Sequence, residues 1–237
     1  MLSLIIPTYN ERENISYLIQ QLSVLFTKHH IPAEMIIVDD NSPDGTAALV
    51  REWQELQERE PQIRVLTRSH KQGLASAVVE GMRLATGEII GVMDADFSHS
   101  PEAIIQLYTA MHTSPFPDFV IGSRYVMGGR IVNWPWHRRL ISRIATWSAS
   151  FVTDVHDPLS GIFLIRQESV QNILSTPLAQ RGFKICLELL VNAPWKRVQE
   201  VPITFTDRKH GTSKLSFQEY YYYICNLIRY LKHKKIR

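Results

Sequence analysis

The stretch "LSLIIPTYNERENISYLIQQLSVLF", residues 2–26, predicts a strand that leads into a helix. Its first residues are almost wholly apolar, which is typical of a strand buried on both faces of a sheet. Asn10, with Glu13 three residues later, has the pattern of a capping box and predicts that a helix begins there. Apolar residues then recur at the spacing of one helix face: Ile15, Leu18, Ile19, Leu22, Leu25 and Phe26.

Strand and helix patterns continue to alternate along the first half of the chain. Strands are predicted over 2–6, 35–38, 63–66, 89–93 and 119–122, and helices from 10, over 46–57, over 74–85 and over 101–111. This order predicts an α/β fold with a mostly parallel central sheet flanked by helices. Looser patterns in the second half predict helices over 138–152, 183–191 and 216–233, and strands over 162–166 and 198–205.

The composition is that of an ordinary globular protein. Of the 237 residues, 45% are hydrophobic and 21% are charged, which is enough apolar surface for a sizeable core and too little charge for a disordered chain. We expect one large domain over residues 1–215, followed by an amphipathic basic helix or tail over residues 216–237. Five of the basic residues lie in the last nine positions, so the excess positive charge is concentrated there.

The lack of a recognisable signal peptide and the cysteine usage predict a cytoplasmic protein. Cys186 and Cys225 lie far apart and in no metal-binding spacing, so neither a disulfide framework nor a zinc site is predicted. The apolar start of the chain is too short for a signal peptide and lacks a basic leader. No uncharged apolar run approaches the roughly 18 residues of a spanning helix, so we expect nothing to cross the bilayer.

Acidic residues follow three of the predicted strands. Glu11 comes after the first strand, Asp39 and Asp40 after the second, and Asp94 and Asp96 after the fourth. The carboxyl ends of parallel strands meet at one edge, where ligands bind, and acids gathered there would repel one another without a cation. An Asp-x-Asp pair suits Mg²⁺ or Mn²⁺, which take one or two carboxylates together with water and phosphate oxygens. The alternative is that the pair only forms a turn.

Two common nucleotide-binding motifs are absent. There is no G-x-G-x-x-G after the first strand and no G-x-x-x-x-G-K-[ST] anywhere in the sequence. A dinucleotide-dependent oxidoreductase and a P-loop NTPase are therefore disfavoured. A nucleotide in this protein would have to be held by carboxylates, a metal and side chains.

Six sequence blocks resemble, in order, those of the family 2 glycosyltransferases. They are "IIPTYNE", "IIVDDNSPDGT", "KQGLASAVVEG", "GEIIGVMDADFSHSPE", "IGSRY" and "DRKHGTSKLS", and they extend from about residue 4 to 216. The likeness is strongest to the polyprenol (dolichyl) phosphate mannosyltransferase branch. It implies a GT-A fold, a nucleotide-diphosphate sugar donor and a lipid phosphate acceptor.

The resemblance also implies roles for individual residues at matching positions. Donor-binding positions are Pro7, Tyr9, Glu11, Asp39, Asp40, Asp94 and Lys214. Metal-binding positions are Asp94, Asp96 and Ser98, although many relatives carry Gln where this chain has Ser98. The positions implied to act on the phosphates are Asp96, Arg124, Arg138 and Arg208, of which Arg208 belongs with Lys214 to a loop that closes over the donor.

The resemblance implies metal-dependent, inverting transfer of mannose from GDP-mannose to a polyprenyl (dolichyl) phosphate at the cytoplasmic face of a membrane. A phosphate monoester, with a second pKa near 6, is largely dianionic at neutral pH and needs no general base. Transfer from UDP-glucose or another nucleotide sugar to the same lipid is an alternative. More distant alternatives are transfer to a hydroxyl acceptor, which would need a base, and a non-catalytic nucleotide-sugar-binding partner of a membrane protein.

The end of the chain, "FQEYYYYICNLIRYLKHKKIR", residues 217–237, combines aromatic and aliphatic residues with clustered basic ones. This composition is typical of a helix that lies on anionic lipid, which predicts peripheral attachment to a membrane. The alternatives are a final helix that packs on the core, with a solvated basic end, and docking to a separate membrane subunit.

Overall fold

Strands and helices alternate in the computed structural model, which describes residues 1–56, 61–174, 184–207 and 217–234. The strands are β1 Leu2–Thr8, β2 Ala33–Asp39, β3 Gln62–Thr67, β4 Ile89–Val92, β5 Phe119–Ser123, β6 Arg130–Val132, β7 Phe163–Arg166, β8 Val198–Pro202 and β9 Thr204–Thr206. The helices are α1 Arg12–Lys28, α2 Thr46–Leu56, α3 Leu74–Leu84, α4 Glu102–Met111, α5 Trp136–Ala149, α6 Gln167–Leu174, α7 Ile185–Asn192 and α8 Phe217–Lys234.

The central sheet has the strand order β3-β2-β1-β4-β7-β5-β8. Every neighbouring pair is parallel except those that involve β7, which runs antiparallel to both β4 and β5. Strands β6 and β9 form a separate parallel pair. Because β7 is reversed, the loop that leads into it reaches the same edge as the carboxyl ends of β1, β2, β4 and β5.

Helices cover both faces of the sheet. Alternate residues of β1 point to opposite sides, so that Leu4 and Ile6 pack with α1, α2 and α4, and Ile5 packs with α3, α6 and α7. A third, smaller cluster joins α5, α7 and α8 through Ala149 and Leu187 among others. The predicted α/β fold with a mostly parallel sheet is therefore confirmed.

Two local predictions are wrong. The capping box at Asn10 does not form, because α1 begins at Arg12 and Asn10 has a φ of 56°, in the left-handed region that asparagine tolerates. The backbone N–H groups of Asn10 and Glu11 instead donate to the Ser42 and Thr46 hydroxyls, which fastens this loop to the one after β2. The strand predicted over 198–205 is two strands, because the chain leaves the central sheet after β8 and pairs with β6.

Helix α8 both packs on the protein and exposes apolar side chains. Tyr223 and Tyr230 are buried in the cluster with α5 and α7, whereas Tyr221, Ile224 and Ile228 are exposed. The Tyr223 hydroxyl donates to the Ala145 carbonyl at 2.6 Å, which ties α8 to α5. No helix in the described ranges combines the length and the apolar composition that a bilayer crossing requires.

A buried carboxylate links neighbouring strands at the edge of the sheet opposite the carboxyl ends. Glu34 Oε1 accepts hydrogen bonds from Ser3 Oγ at 2.6 Å and from both the backbone N and Oγ1 of Thr86, and Oε2 accepts from Arg64 at 3.1 Å. Burial raises the pKa of Glu34, but these hydrogen bonds outweigh burial and hold the pKa below its ordinary 4.5. Glu34 therefore links β1, β2, β3 and the segment after α3.

We expect Glu34→Gln to lower the free energy of unfolding at pH 7 by about 1–3 kcal/mol, because donors that now meet a carboxylate would meet a neutral amide. The pKa of Glu34 is lower in the folded than in the unfolded chain, so its contribution is present above the unfolded value and is lost as the pH falls through the folded value. Urea unfolding at pH 7 and pH 3 measures both effects. Glu52→Gln, at an exposed glutamate of α2, is the control. A stability difference that is the same at both pH values would contradict this role.

Candidate active site

The loops that follow the parallel strands lie together at one edge of the sheet. Strands β1 and β2 are neighbours, and β4 lies on the other side of β1, so the residues after Thr8, Asp39 and Val92 are brought side by side. Strand β5 ends at the same edge, across the reversed β7. The predicted gathering of acidic residues is therefore present in the structure.

Asp39 links the loops after β1 and β2. Its carboxylate accepts from Thr8 Oγ1 at 3.0 Å, and from the backbone N and Oγ of Ser42 at 2.9 and 2.5 Å. Pro7 and Tyr9 are partly buried beside it, and the Lys71 ammonium lies 3.8 Å from the centre of the Tyr9 ring. The predicted nucleoside-binding residues thus lie at adjacent strand ends, with a cation over the aromatic ring.

Two other predicted donor-binding residues have contacts within the chain. Asp40 is buried, receives a hydrogen bond from Arg68 Nη1 at 2.9 Å, and accepts the backbone N–H groups of Gln72 and Gly73. Asp40 therefore shapes the loop that carries Lys71. Glu11 is half-buried immediately before α1, and its Oε2 accepts from Asn14 Nδ2 at 2.9 Å.

The loop after β4 holds Asp94 and Asp96 in a constrained conformation. Asp96 is buried, and its Oδ1 accepts from the backbone N of Ser98 at 3.0 Å. Phe97, between them, has a φ of 56°, which is an uncommon and costly conformation for a large side chain. On the far side, a Cβ at Gly161 would overlap Asp94 Oδ2, so this glycine allows the loop before β7 to approach the carboxylate.

The donor set at this loop suits a hard divalent cation. No three His, Cys, Asp or Glu side chains converge on a metal position within the described ranges. Asp94 and Asp96 offer two carboxylates, which is the number that Mg²⁺ and Mn²⁺ take when phosphate oxygens and water complete the coordination. The Ser98 hydroxyl lies 3.4 Å from His99 Nδ1. The residues present therefore fit a metal that is shared with a diphosphate.

A buried ion pair fixes Arg124 at the end of β5. Its Nε and Nη2 donate to the two carboxylate oxygens of Asp157, each at 2.7 Å, and its backbone N donates to Asp157 at 2.9 Å. Burial alone would lower the pKa of Arg124, but Asp157 outweighs burial and raises it. Glu200 of β8 supports the pair by accepting the backbone N–H groups of Asp157 and His156 at 2.9 and 2.8 Å.

A second arginine lies on an aromatic cluster beside Arg124. Arg138 Nη1 donates to Asp207 Oδ1 at 2.6 Å, and the guanidinium stacks on Trp134, 4.2 Å from the ring centre. Trp134 in turn contacts Phe205, which packs edge-on against His99. The guanidinium carbon of Arg124 lies 5.8 Å from the centre of the same Trp134 ring. The two arginines therefore face a common set of rings.

Two buried nitrogens of this cluster suit a bound anion or polar ligand. Trp134 Nε1 and His99 Nε2 have no hydrogen-bond partner within the described part of the chain, which is rare for buried polar atoms. Burial, the largest influence, lowers the pKa of His99 to about 4, so its ring is neutral at pH 7. The buried Lys184 lies near the same charges. Burial, followed by repulsion from Arg124, lowers its pKa to about 7, although attraction to Asp157 and Asp94 opposes this shift.

Several contributors to this edge could not be found by the sequence patterns used above. Arg68, Glu200 and Phe205 were not predicted, because each joins the site through a partner that is distant in sequence. Trp134 was not predicted either, although it lies close in sequence to Arg138, on which it stacks. Arg208 and Lys214, which were predicted from the resemblance, lie outside the described residues.

Comparison with known proteins supports the resemblance. Residues 3–174 match the family profile described as Glycosyl transferase family 2. The chain is 39% identical over 236 residues to a dolichol-phosphate mannosyltransferase of Pyrococcus furiosus, covering 97% of this chain and 63% of that protein. It is 37% identical over 221 residues to the dolichol-phosphate mannosyltransferase of Saccharomyces cerevisiae, covering 90% and 80%.

The fold is also that of a solved structure. The mannosyltransferase PcManGT from Pyrobaculum calidifontis, in complex with GDP-Man and Mn²⁺, superposes with a TM-score of 0.62 at 17% identity. The superposition covers 100% of this chain and 64% of the other. It shows that the two share the GT-A type of fold. The present chain thus spans less than two thirds of the length of the Pyrococcus furiosus relative and of this structure, 63% and 64% respectively.

We expect the Arg124–Asp157 pair to be strongly coupled in a double-mutant cycle of unfolding free energies. Asp157→Asn alone should cost about 3–5 kcal/mol, because it leaves a buried guanidinium without its counter-charge, whereas Asp157→Asn in an Arg124→Met background should cost far less. The matched control is the partly exposed Arg138–Asp207 pair, for which Asp207→Asn and Arg138→Met should couple by about 1 kcal/mol or less. Additive costs at positions 124 and 157 would contradict the expectation.

Proposed function

The chain belongs to glycosyltransferase family 2, and from this premise we propose that it transfers mannose from GDP-mannose to a polyprenyl (dolichyl) phosphate at a membrane surface. The observation that carries the proposal is the pairing of opposite charges at one edge of the sheet. The carboxylates of Asp94 and Asp96 lie there, and Asp94 is close enough to Arg124 to raise its pKa. Such an edge can hold a metal–diphosphate on one side and an anionic acceptor on the other.

The donor would lie across the ends of β1, β2 and β4. We assign the nucleoside to the pocket around Pro7, Tyr9, Glu11 and Asp39, with Asp40 holding the loop that brings Lys71 over Tyr9. Mg²⁺ or Mn²⁺ held by Asp94 and Asp96, with Ser98 beside them, would supply positive charge to the departing diphosphate. Arg208 and Lys214 lie outside the described residues, and we propose that they contact the donor.

The acceptor phosphate would meet the two arginines. Asp157 holds Arg124 by two parallel hydrogen bonds, so its charge is already oriented before the acceptor binds, and that orientation costs nothing during the reaction. Arg138 has a different character, because both it and its partner Asp207 are partly exposed. We propose that Arg138 binds the incoming phosphate and that Trp134 Nε1 donates to it.

No protein base is needed in this reaction. The acceptor is already an anion at neutral pH, so positioning and charge stabilisation carry the rate. Glu188 of α7 is buried and hydrogen-bonded to Tyr230 of α8, and burial, followed by Glu188, raises the pKa of that tyrosine. We therefore assign Glu188 a structural role. Direct displacement by the phosphate would invert the anomeric carbon.

We expect GDP-mannose and GDP to stabilise the protein against heat, and Mn²⁺ to increase the effect. At 100 times the dissociation constant the gain is about 2.7 kcal/mol, or roughly 5–10 °C for a chain of this size. Asp96→Asn should abolish the Mn²⁺-dependent part, while its amide oxygen can still accept from Ser98. The control is Asp154→Asn, at an exposed aspartate. Larger shifts with UDP and UDP-glucose would favour the alternative donor, and no metal-dependent shift with any nucleotide would contradict the proposal.

We expect Arg138→Gln to reduce turnover of GDP-mannose with a short-chain polyprenyl phosphate roughly 100-fold, since a group that stabilises charge at the reacting centre is lost. Thermal stabilisation by GDP-mannose should persist, because this arginine is assigned to the acceptor. Arg83→Gln, at an exposed arginine of α3, should leave turnover unchanged. Mannosyl transfer is measured by mass spectrometry of the lipid product. Equal turnover by Arg138→Gln and the unchanged protein would remove Arg138 from the site.

A further inference from the structure

His99 is a buried histidine whose ring nitrogens make little use of the surrounding protein. It follows Ser98 in the loop after β4, and only 1% of its surface is exposed. Its Nδ1 lies 3.4 Å from Ser98 Oγ, at the long limit of a hydrogen bond. Its Nε2 has no hydrogen-bond partner within the described residues. Buried polar atoms nearly always have a partner, so this nitrogen requires an explanation.

The ring of His99 is held in place by packing. It meets Phe205 of β9 edge-on, with 4.9 Å between the ring centres, and the backbones of the two residues form an isolated antiparallel bridge. Next to them, the backbone N of Thr206 donates to the carbonyl of Ser98 at 2.9 Å. On another side, a Cβ at Gly161 would lie 3.4 Å from His99 Cε1. An apolar side chain could make the same contacts, so packing alone gives no reason for an imidazole at this position.

The contacts of the ring leave a hydrogen-bond donor at Nε2. A Ser98 hydroxyl that donates to Nδ1 leaves the hydrogen of the neutral imidazole on Nε2. This N–H is buried and has no acceptor among the residues that the structure describes, which destabilises the protein without its ligand. A ligand atom that accepts a hydrogen bond would remove that cost. Such a contact uses the neutral ring throughout and requires no change in its protonation.

The surroundings of His99 indicate which kind of ligand would supply the acceptor. Burial lowers the pKa of His99 most strongly, and among the charged groups Asp96 then raises it and Arg124 lowers it. His99 therefore lies between the acidic loop and the arginine at the end of β5. Trp134, whose Nε1 is also a buried donor without a partner in the described ranges, packs against the same Phe205 ring, 5.0 Å between centres. Two neutral donors and a fixed guanidinium around one aromatic cluster suit an anion with several oxygens, and phosphate has this character.

We propose that His99 contacts the substrate directly, with its Nε2–H donating to a phosphate oxygen where the donor diphosphate and the acceptor phosphate meet. The assignment rests on the proposed function for the identity of these phosphates. A neutral donor suits this position, because it can stabilise negative charge on an oxygen without pairing with the neighbouring carboxylates as a cation would. His99 therefore differs from Arg124 and Arg138 in contributing a hydrogen bond but no charge.

Two substitutions at this position separate the donor from the ring. His99→Gln and His99→Met both replace the ring by an unbranched side chain of similar length, but only His99→Gln retains an N–H near the position of Nε2. Isothermal titration calorimetry on the full chain measures the binding of GDP with Mn²⁺ and the binding of geranyl phosphate, a water-soluble isoprenyl monophosphate. His99→Met should weaken the binding of at least one ligand roughly 10–100-fold, as expected for the loss of a hydrogen bond to a charged group, and His99→Gln should stay within roughly threefold of the unchanged protein.

The ligand that loses affinity identifies the phosphate. A loss confined to GDP with Mn²⁺ would assign the contact to the donor diphosphate, a loss confined to geranyl phosphate would assign it to the acceptor, and a loss with both would assign it to the two together. His29→Gln and His29→Met, at the exposed histidine that follows α1, are the matched controls and should bind both ligands as the unchanged protein does.

Thermal unfolding provides a readout that a structural role would not share. A buried amide N–H without an acceptor is costly, so without ligand His99→Met should unfold at the same temperature as His99→Gln or above it. With saturating ligand the order should reverse, because only His99→Gln has a donor for the phosphate oxygen. If the ring nitrogens of His99 served the fold instead, His99→Gln would be the more stable variant both with and without ligand, and that result would overturn the proposal.

Equal affinities of the His99→Gln and His99→Met variants for each ligand would also overturn the contact. The proposed function would survive that outcome, provided that the unchanged protein binds GDP with Mn²⁺ and transfers mannose. An unchanged protein that binds neither ligand would instead defeat the proposed function and this contact together.

Discussion

Negative charges that meet at the carboxyl ends of parallel strands repel one another unless donors or cations lie among them. In this structure, hydrogen-bond donors or cations lie next to the individual carboxylates. Asp39 is surrounded by hydroxyl and N–H donors, Asp40 is paired with Arg68, and Asp157 is paired with Arg124. The carboxylates at this edge are thereby held in place by their partners, and the loop of Asp94 and Asp96 adds a strained residue, Phe97, whose conformation the surrounding contacts must maintain.

The arrangement of charged side chains at this edge suits a reaction in which two anions must approach each other. In the proposed reaction, fixed positive charge is needed where the acceptor phosphate binds, and this charge must not pair with the donor diphosphate instead. Arg124 meets this requirement because Asp157 and Glu200 determine its position independently of any ligand. Arg138 is less constrained, because both it and its partner Asp207 are partly exposed. The two arginines therefore differ in how much each is free to respond to binding.

The sequence predicted the parts of the fold that depend on local periodicity. The first five strands and four helices are present with boundaries close to those expected, because apolar spacing and turn residues are properties of short segments. The short β6 and α6 were missed, and β8 was not separated from β9, because pieces this small carry little pattern. At the site, Asp39, Asp40, Asp94 and Asp96 were predicted from their positions after strands and Arg124 from the resemblance, whereas Arg68, Glu200 and the pairing of Arg124 with Asp157 were not predicted. Arg124 and Asp157 are 33 residues apart, and nothing in their neighbourhoods signals that they meet.

The network of Arg124, Asp157 and Glu200 also has a consequence for divergence among related chains. Loss of Asp157 or Arg124 alone would leave a buried charge without its counter-charge, and loss of Glu200 would remove the acceptor for two backbone N–H groups at once. Substitution at one of these positions would then be tolerated mainly alongside a compensating change at another. The three residues should therefore change together among related chains. An exposed arginine such as Arg83 is under no such tie and can be replaced independently.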